Sequence, residues 1–274
     1  MSIRGRVLSA GVWAPGLPGW AVSRGVLAGE EAYVPCPTPA PAPSILAATE
    51  RRRTGPVVRL ALTVAQEAAV GSGLEPGSLR SVFGSSNGDG VVVGEILEAL
   101  AGARVGEKVV SPTQFHNSVH NAAAGYWSIA HGSQEPATCL GAHDATWAAA
   151  LLKAGAEMAA SKEAVLLCVY DHPLPAPLDA LRPTAAAFGA AFVLAPGGDE
   201  GVGFSLRFVA ERAEMEVLQG GLETIRAGNP AAQCLPLLVA LARSGGTQSA
   251  RALWEGGRLV FPYLDGHLVM ELGG

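Results

Sequence analysis

The sequence predicts an α/β protein whose sheet is covered on both faces. Strand-like and helix-like segments alternate along the chain, the middle strands are apolar throughout, and one helical segment carries almost no charge. Strands buried on both faces lack the apolar–polar alternation of one-sided sheets, and a helix that is apolar on nearly all sides is an interior one. We therefore expect α-β-α layers with a buried central helix.

Each element has its own signal in the sequence. Short apolar runs that end in Gly- or Pro-rich turns predict strands at residues 2–13, 80–84, 164–170, 186–194 and 205–209. Apolar residues at helical spacing predict helices at residues 56–70, 91–100 and 144–160. Residues 258–269 predict a β-hairpin that turns at 264–266. The alternating prolines of residues 35–43 predict an extended surface connection.

Composition excludes several classes of function. The 274 residues have a formal net charge of −5, which argues against a broad phosphate-binding surface and so against nucleic acid. No run of about 18 apolar residues occurs, so we expect no membrane span and a cytoplasmic protein. The four cysteines lie far apart, without zinc-ribbon spacing or a disulfide framework. The glycines of residues 85–90 lack the spacing of a phosphate-binding loop and indicate a strand-to-helix turn. We expect no cofactor.

Residues 111–131 hold the densest group of polar and aromatic side chains. His116 and His120 are four positions apart and would share one face of a helix, as zinc ligands do. No third ligand stands nearby, so we expect no metal. In the alternative interpretation, these histidines, Asn117 and Asn121 satisfy backbone groups at an irregular helix entry.

Cys139 and His143 suggest a thiol nucleophile with an imidazole partner. A catalytic thiol needs a lowered pKa, usually from a helix N-terminus and an adjacent imidazole. Cys139 stands too far from the helix that begins near Asp144, and its neighbours predict a buried strand in which cysteine is a small apolar residue. Asp144 is the predicted N-cap of that helix.

Taken in order, these residues resemble the N-terminal half of β-ketoacyl-ACP synthases, members of the thiolase-like fold. The family has a Ser-Pro opening, an Asn, an Asn-x-x-Ala-Gly element, a Ser-Ile pair and a Gly-x-x-Gly-Pro turn, and then its catalytic cysteine at the start of a buried helix. The matching residues here are Ser111-Pro112, Asn117, Asn121, Ala124-Gly125, Ser128-Ile129, Gly132 and Pro136, whereas Glu135 replaces the second glycine of the turn. The resemblance covers roughly residues 1–196, and we expect one ketosynthase-like domain over 1–274, with residues 197–274 as an extension of undetermined form.

The resemblance implies a chain that has lost the family's catalytic groups. The family's cysteine follows the proline by about eight positions, which places Asp144 at the nucleophile position. After His172 the only histidine is His267, and its surroundings match neither of the family's two histidine motifs. The chain is similar to the short, chain-length-factor-type homologues of aryl polyene, polyketide and fatty-acid pathways. This similarity implies a protein without catalytic turnover.

The resemblance also implies a partner and a surface. Such a chain would form a heterodimer with an active ketosynthase subunit and meet the acyl carrier protein through that partner. The expected interface or tunnel residues are Phe115, His116, Asn117, His120, Asn121, Tyr126 and Trp127. Phe115, Tyr126 and Trp127 would either anchor the interface or fill this chain's own core.

Two other functions remain open at this point. The chain could be an acyltransferase or thioesterase that uses Cys139 with His116, His120 or His143. A small-molecule binding module built on residues 85–90 has less support.

Overall fold

The computed structural model describes residues 2–37, 41–104, 109–245 and 257–273. These ranges contain one mixed sheet in the order β3-β2-β4-β5-β1-β6-β8-β7. Its strands are β1 (Ile3–Trp13), β2 (Arg80–Gly84), β3 (Ala137–Leu140), β4 (Val165–Asp171), β5 (Phe188–Ala195), β6 (Val202–Val209), β7 (Gly257–Tyr263) and β8 (Gly266–Gly273). The helices are α1 (Trp20–Ala28), α2 (Ala48–Arg53), α3 (Pro56–Gly71), α4 (Gly90–Gly102), α5 (Pro112–Ser118), α6 (Ala122–His131), α7 (Thr146–Ser161), α8 (Leu178–Leu181), α9 (Gly221–Gly228) and α10 (Leu235–Ser244). Short 3₁₀ turns cover Pro76–Ser78 and Pro230–Cys234.

Helices cover both faces of the sheet, as the sequence predicts. On one face α3 and α6 pack against alternate residues of the central strands, among them Phe83, Leu166 and Cys168. On the other face α7, α1 and α10 pack against the intervening residues, such as Val82 and Leu167. The uniformly apolar strands β4 and β5 are therefore buried on both sides.

Helix α3 comes very close to β1 at a glycine. A Cβ atom at Gly11 would lie 2.4 Å from the carbonyl oxygen of Val64. Only glycine allows the helix backbone to approach the strand this closely.

Helix α7 is the central helix that the sequence predicts. Its Trp147 ring lies 5.4 Å from the rings of both Phe192 and Phe261, which ties the helix to the sheet. The 3₁₀ turn before α10 also contacts α7. A narrow stripe that includes Lys153, Ala156 and Ala160 remains exposed.

The other predicted strands, helices and hairpin are also confirmed, with ends that differ by a few residues. The helices α1, α2, α8, α9 and α10 were not predicted from the sequence, and residues 111–131 were not predicted to form the two separate helices α5 and α6. Residues 38–40 of the proline-rich segment lie outside the described residues, and the described residues on either side of them have no regular structure. Strands β6, β8 and β7 continue the sheet that the first half of the chain begins. No helix within the described ranges is long and apolar enough to cross a membrane.

Candidate functional site at the carboxyl ends of the parallel strands

The three parallel strands bring their carboxyl ends to one edge of the sheet. β2 pairs in parallel with β3 on one side and with β4 on the other. The segments that leave these strands therefore meet, and they contribute residues 85–87, residues 143–144, Asp171 and Arg182. We call this group of residues the corner.

Asp171 is the buried acid of the corner. It ends β4 and has no exposed surface. Its Oδ1 atom accepts hydrogen bonds from the Ser85 hydroxyl at 2.9 Å and from the backbone N–H groups of Ser86 at 2.8 Å and Asn87 at 2.9 Å. Burial raises the pKa of Asp171 to about 6, although these hydrogen bonds and the Arg182 charge act in the opposite direction. The carboxyl group thus fixes the start of the loop after β2.

Arg182 joins the three segments of the corner. Its guanidinium donates to the Asn87 side-chain oxygen at 2.9 Å and to the Ser86 hydroxyl. It also donates to Asp144 Oδ1 at 2.8 Å and contacts His143 Nε2 at 2.6 Å. A guanidinium presents several donors in a fixed plane, which suits this role.

The predicted N-cap role of Asp144 is wrong. The N-cap residue of α7 is Ala145, and no side chain caps the helix end. Asp144 directly precedes Ala145, but the Asp144 side chain is 74% exposed and pairs with Arg182 instead of capping the helix. The Thr146 hydroxyl organises the turn, since it accepts from the Ala142 N–H at 2.9 Å and donates to the His143 carbonyl oxygen at 2.7 Å.

Cys139 lies on a strand, as the sequence predicts, but β3 is the edge strand of the sheet and Cys139 is half-buried rather than buried. Its side chain packs against the core that α3 and α6 form. Burial raises the pKa of the Cys139 thiol to about 11. The environment therefore opposes formation of the thiolate that a nucleophile requires.

His116 and His120 do not share a helix face, contrary to what their zinc-like spacing predicts. α5 ends at Ser118, because the chain turns before His120. The His116 ring stacks edge-on against Tyr126 at 5.6 Å, whereas His120 Nε2 donates to the Ser85 carbonyl oxygen at 2.9 Å. In the described part of the chain, no group of three or more His, Cys, Asp or Glu side chains could hold a metal ion.

Asn117 and Asn121 differ in the hydrogen bonds that their side chains make. Asn117 is buried, donates to the Arg53 carbonyl oxygen at 2.7 Å and accepts from the Tyr126 hydroxyl at 3.1 Å. Asn121 is the N-cap residue of α6 but makes no side-chain cap. For Asn117 and His120 the structure thus has the contacts to backbone carbonyl groups that the alternative interpretation requires.

The three bulky aromatic residues fall into two groups. Tyr126 and Trp127 are 2% and 1% exposed and lie in the core beneath α6. Phe115 is 68% exposed, and Ile129 on α6 is 65% exposed. Other large apolar residues are exposed nearby in the chain, at Val119 after α5 and at Leu97 and Leu100 on α4. We call these five exposed residues the apolar surface.

The apolar surface adjoins an edge of the sheet. α4 contacts α5, α5 contacts α6, and α6 contacts β3. β3 is the outermost strand at that end of the sheet and pairs with β2 alone among the described strands. Its other side presents backbone groups that another strand can pair with.

A small cavity lies beside the start of α7. It has a volume of about 210 Å³, and its wall includes Asp144, Trp147, Met215, Gln233 and Phe261. His267 is not part of that wall. It is buried on β8 and donates from Nδ1 to the Glu211 carbonyl oxygen.

Asp171 and Arg182 were not predicted from the sequence. A signal for Asp171 was available, because a lone acid directly follows the apolar residues of β4, at the edge where parallel strands end. Arg182 carries no such signal, because only the folded chain brings residues 85–87 and 143–144 to it.

Solved structures of similar fold include ketosynthases and their complexes. The chain matches a chain in the complex of a ketosynthase (ApeO) with its chain length factor (ApeC) from Xenorhabdus doucetiae, with a TM-score of 0.70 and 18% identity over 98% of this chain and 99% of that chain. It matches a chain of the ishigamide ketosynthase/chain length factor with a TM-score of 0.68 and 15% identity over 98% of each chain. It also matches a chain of AntDE:AntF, a type II PKS acyl-carrier protein in complex with its ketosynthase, with a TM-score of 0.67 and 12% identity over 99% of each chain.

At these identities the likeness establishes the fold. No curated protein matches the sequence. The family model for the beta-ketoacyl synthase N-terminal domain matches residues 28–255, which is most of the chain. The chain therefore belongs to the beta-ketoacyl synthase N-terminal domain family.

Proposed function

We propose that this chain is a subunit without catalytic turnover that pairs with an active ketosynthase and acts as its chain length factor. The observation that carries the proposal is Asp144, which lies two residues before the first residue of α7 and is bound by Arg182. In the family spacing this is the position of the nucleophilic cysteine.

The chemistry of the corner supports the absence of turnover. Condensation by this family needs a thiolate that attacks an acyl thioester and displaces the carrier thiol. The Asp144 carboxylate is a weak nucleophile toward a thioester, and it is already engaged by a guanidinium. The thiol of Cys139 is held in its neutral form by burial.

The apolar surface supports a protein partner. Five large apolar side chains are exposed on or beside α4, α5 and α6, next to the open edge of β3. Exposed apolar groups beside an open strand edge are typical of a surface that another protein covers. We propose that this surface, with Phe115 and Ile129 as anchors, contacts the ketosynthase subunit.

The structural neighbours favour the same class of partner. Two of them are ketosynthase–chain length factor pairs, and one is a ketosynthase with its acyl-carrier protein. We propose a cytoplasmic heterodimer in which the carrier protein delivers its acyl group to the partner. An aryl polyene, polyketide or fatty-acid-type product fits this proposal.

Co-expression with a ketosynthase encoded beside this gene tests the proposal. We expect a 1:1 complex by light scattering after gel filtration, and a change in the product chain length of the partner. Two separately folded proteins that do not associate, with unchanged products, would refute it.

A second experiment tests the alternative enzyme. The purified chain is incubated with acyl thioesters and its intact mass is measured, with Cys139→Ala as the matched control. We expect no acyl adduct on either protein. An adduct on the wild-type chain that is lost in Cys139→Ala would instead establish a stand-alone acyltransferase or thioesterase.

A further inference from the structure

We propose that Arg182 is the positioning residue of the corner, and that it holds Asp144 in place only while His143 is neutral. The inference does not depend on the proposed function, because it concerns contacts within this chain.

Among the described residues, Arg182 alone makes side-chain hydrogen bonds both to the loop after β2 and to the turn before α7. It reaches residues 86 and 87 after β2 and residues 143 and 144 before α7. Its side chain is only 20% exposed, whereas those of His143 and Asp144 are 73% and 74% exposed. The arginine is thus the inner, fixed member, and the turn at 143–144 is the outer member that it retains.

The tautomer of His143 follows from the donors present. A guanidinium can only donate hydrogen bonds, so the contact of 2.6 Å from Arg182 requires an unprotonated Nε2 on His143. The single ring proton of the neutral imidazole is then on Nδ1. That atom lies 3.2 Å from Asp144 Oδ2, where the proton faces the carboxylate.

A second proton on His143 is incompatible with this arrangement. Nε2–H would point at the guanidinium N–H, so two donors and two positive charges would meet at hydrogen-bond distance. The imidazolium would also compete with Arg182 for Asp144. Protonation of His143 therefore breaks the contact with Arg182.

The backbone at His143 adds to the effect. Its φ is 53°, in the left-handed region that residues other than glycine adopt uncommonly. Loss of the Arg182 contact removes one constraint on this backbone. The turn is therefore free to relax when the contact breaks.

The other titratable groups near the corner do not make this contact. On the segments that meet there, the titratable and charged groups are Asp89, His120, Asp144, Asp171, His172, Asp179 and Arg182. Of these, Asp144 and Arg182 have a described hydrogen bond or ion pair with His143. Asp171 binds residues 85–87 instead, so its own titration acts on the other loop of the corner.

Release of the turn changes the cavity beside α7. Asp144 is part of the wall of this 210 Å³ cavity. When Arg182 no longer holds the carboxylate, Asp144 moves and the mouth of the cavity changes shape. The corner thus acts as a protonation-dependent latch on that cavity.

Nitrogen NMR of the full chain tests the tautomer directly. We expect His143 to carry its proton on Nδ1 at pH 8, and this preference to weaken in Arg182→Ala, which removes the donor that faces Nε2. A proton on Nε2 of wild-type His143 at pH 8 would overturn the proposal.

Amide hydrogen exchange tests the latch. Rates are measured at pH 7.5 and 5.5 and normalised for the intrinsic effect of pH on exchange. We expect the peptide covering residues 141–146 to exchange several-fold faster at pH 5.5 in the wild type. His143→Gln, whose amide oxygen can accept from Arg182 but cannot be protonated, should lose this change, whereas His116→Gln should keep it. An unchanged wild-type rate, or a full response in His143→Gln, would overturn the proposal.

Discussion

The corner and the apolar surface lie at the same end of the sheet. The polar side chains of the corner find hydrogen-bond partners within the chain, whereas the side chains of the apolar surface are exposed. In the corner, the polar atoms of residues 85–87, 144 and 182 bind one another, and Asp171 is enclosed beneath them. On the apolar surface, Phe115 and Ile129 are about two-thirds exposed, and β3 leaves one strand edge open.

This contrast shows which part of the molecule is complete by itself. A hydrogen-bonded polar cluster stabilises the isolated chain and gives a fixed shape. Exposed apolar side chains beside an open strand edge contribute favourable free energy only when another protein covers them and removes them from water. We therefore expect mutations in the corner to change the stability of the chain, and mutations on the apolar surface to change its association.

The largest effect on stability is expected from Asp171→Asn, through its pH dependence. Burial raises the pKa of Asp171 from its ordinary 3.8 to about 6. Between these values the folded state binds a proton that the unfolded state has lost, so a rise in pH destabilises the fold. The contribution approaches 3 kcal/mol, at about 1.4 kcal/mol per pKa unit.

Urea unfolding at pH 4 and pH 7 measures this contribution. The free energy of unfolding of the wild type, relative to Asp171→Asn, should fall by up to about 3 kcal/mol from pH 4 to pH 7. The asparagine keeps an acceptor oxygen but cannot titrate. Parallel pH curves for the two proteins would show that Asp171 is not buried in the way described.

The next effect concerns the labelling rate of Cys139. This residue lies on β3, between the apolar surface and residues 143–144 of the corner in the sequence. The open edge of β3 exposes backbone, but the Cys139 thiol is half-buried and its pKa is raised to about 11. We expect iodoacetamide at pH 8 to label Cys139 on the order of 100-fold more slowly than a thiol of ordinary pKa.

Exposed Cys36 is the internal control for this measurement. Peptide mass spectrometry over time separates the two sites, and unfolding in urea should remove the difference. Equal labelling rates in the folded protein would place Cys139 in a solvated, reactive environment.

Arg182→Ala should lower the free energy of unfolding by about 2 kcal/mol, because Asn87 and Ser86 lose charged donors in a partly buried site. The Asp144 pair contributes less, since that carboxylate is mostly exposed. Chemical denaturation measures the loss. Asp144→Asn is the matched control, with an expected loss below 1 kcal/mol, and equal losses in the two variants would contradict the inner role of Arg182.

The double substitution Phe115→Asp and Ile129→Asp should weaken the complex with the ketosynthase at least tenfold, or about 1.4 kcal/mol. The stability of the isolated chain should change little, because both side chains are exposed. Calorimetric titration measures the affinity. Val22→Asp is the control, since Val22 is 69% exposed on α1, which packs on the other face of the sheet. An affinity reduced equally by the control would refute the proposed interface.

The sequence by itself determined the layered fold and most of its elements. Uniformly apolar β4 and β5 required a sheet covered on both faces, and the periodicity of residues 56–70 required a helix on one of them. It also placed Asp144 next to the start of α7, because local spacing is enough for that. The helices α9 and α10 escaped prediction, since they are short, at eight and ten residues, and Gly221 and Pro236 stand in their first turns.

Only the tertiary structure decided what the polar residues do. Asp144 looks like a helix cap in the sequence, but Arg182 binds it, and that arginine is 38 positions away. Asp171 acquired its raised pKa from burial, and Cys139 its unreactive environment from the core behind β3. Hydrogen bonds and burial depend on which segments meet in space, and parallel strands bring together loops that lie far apart in the chain.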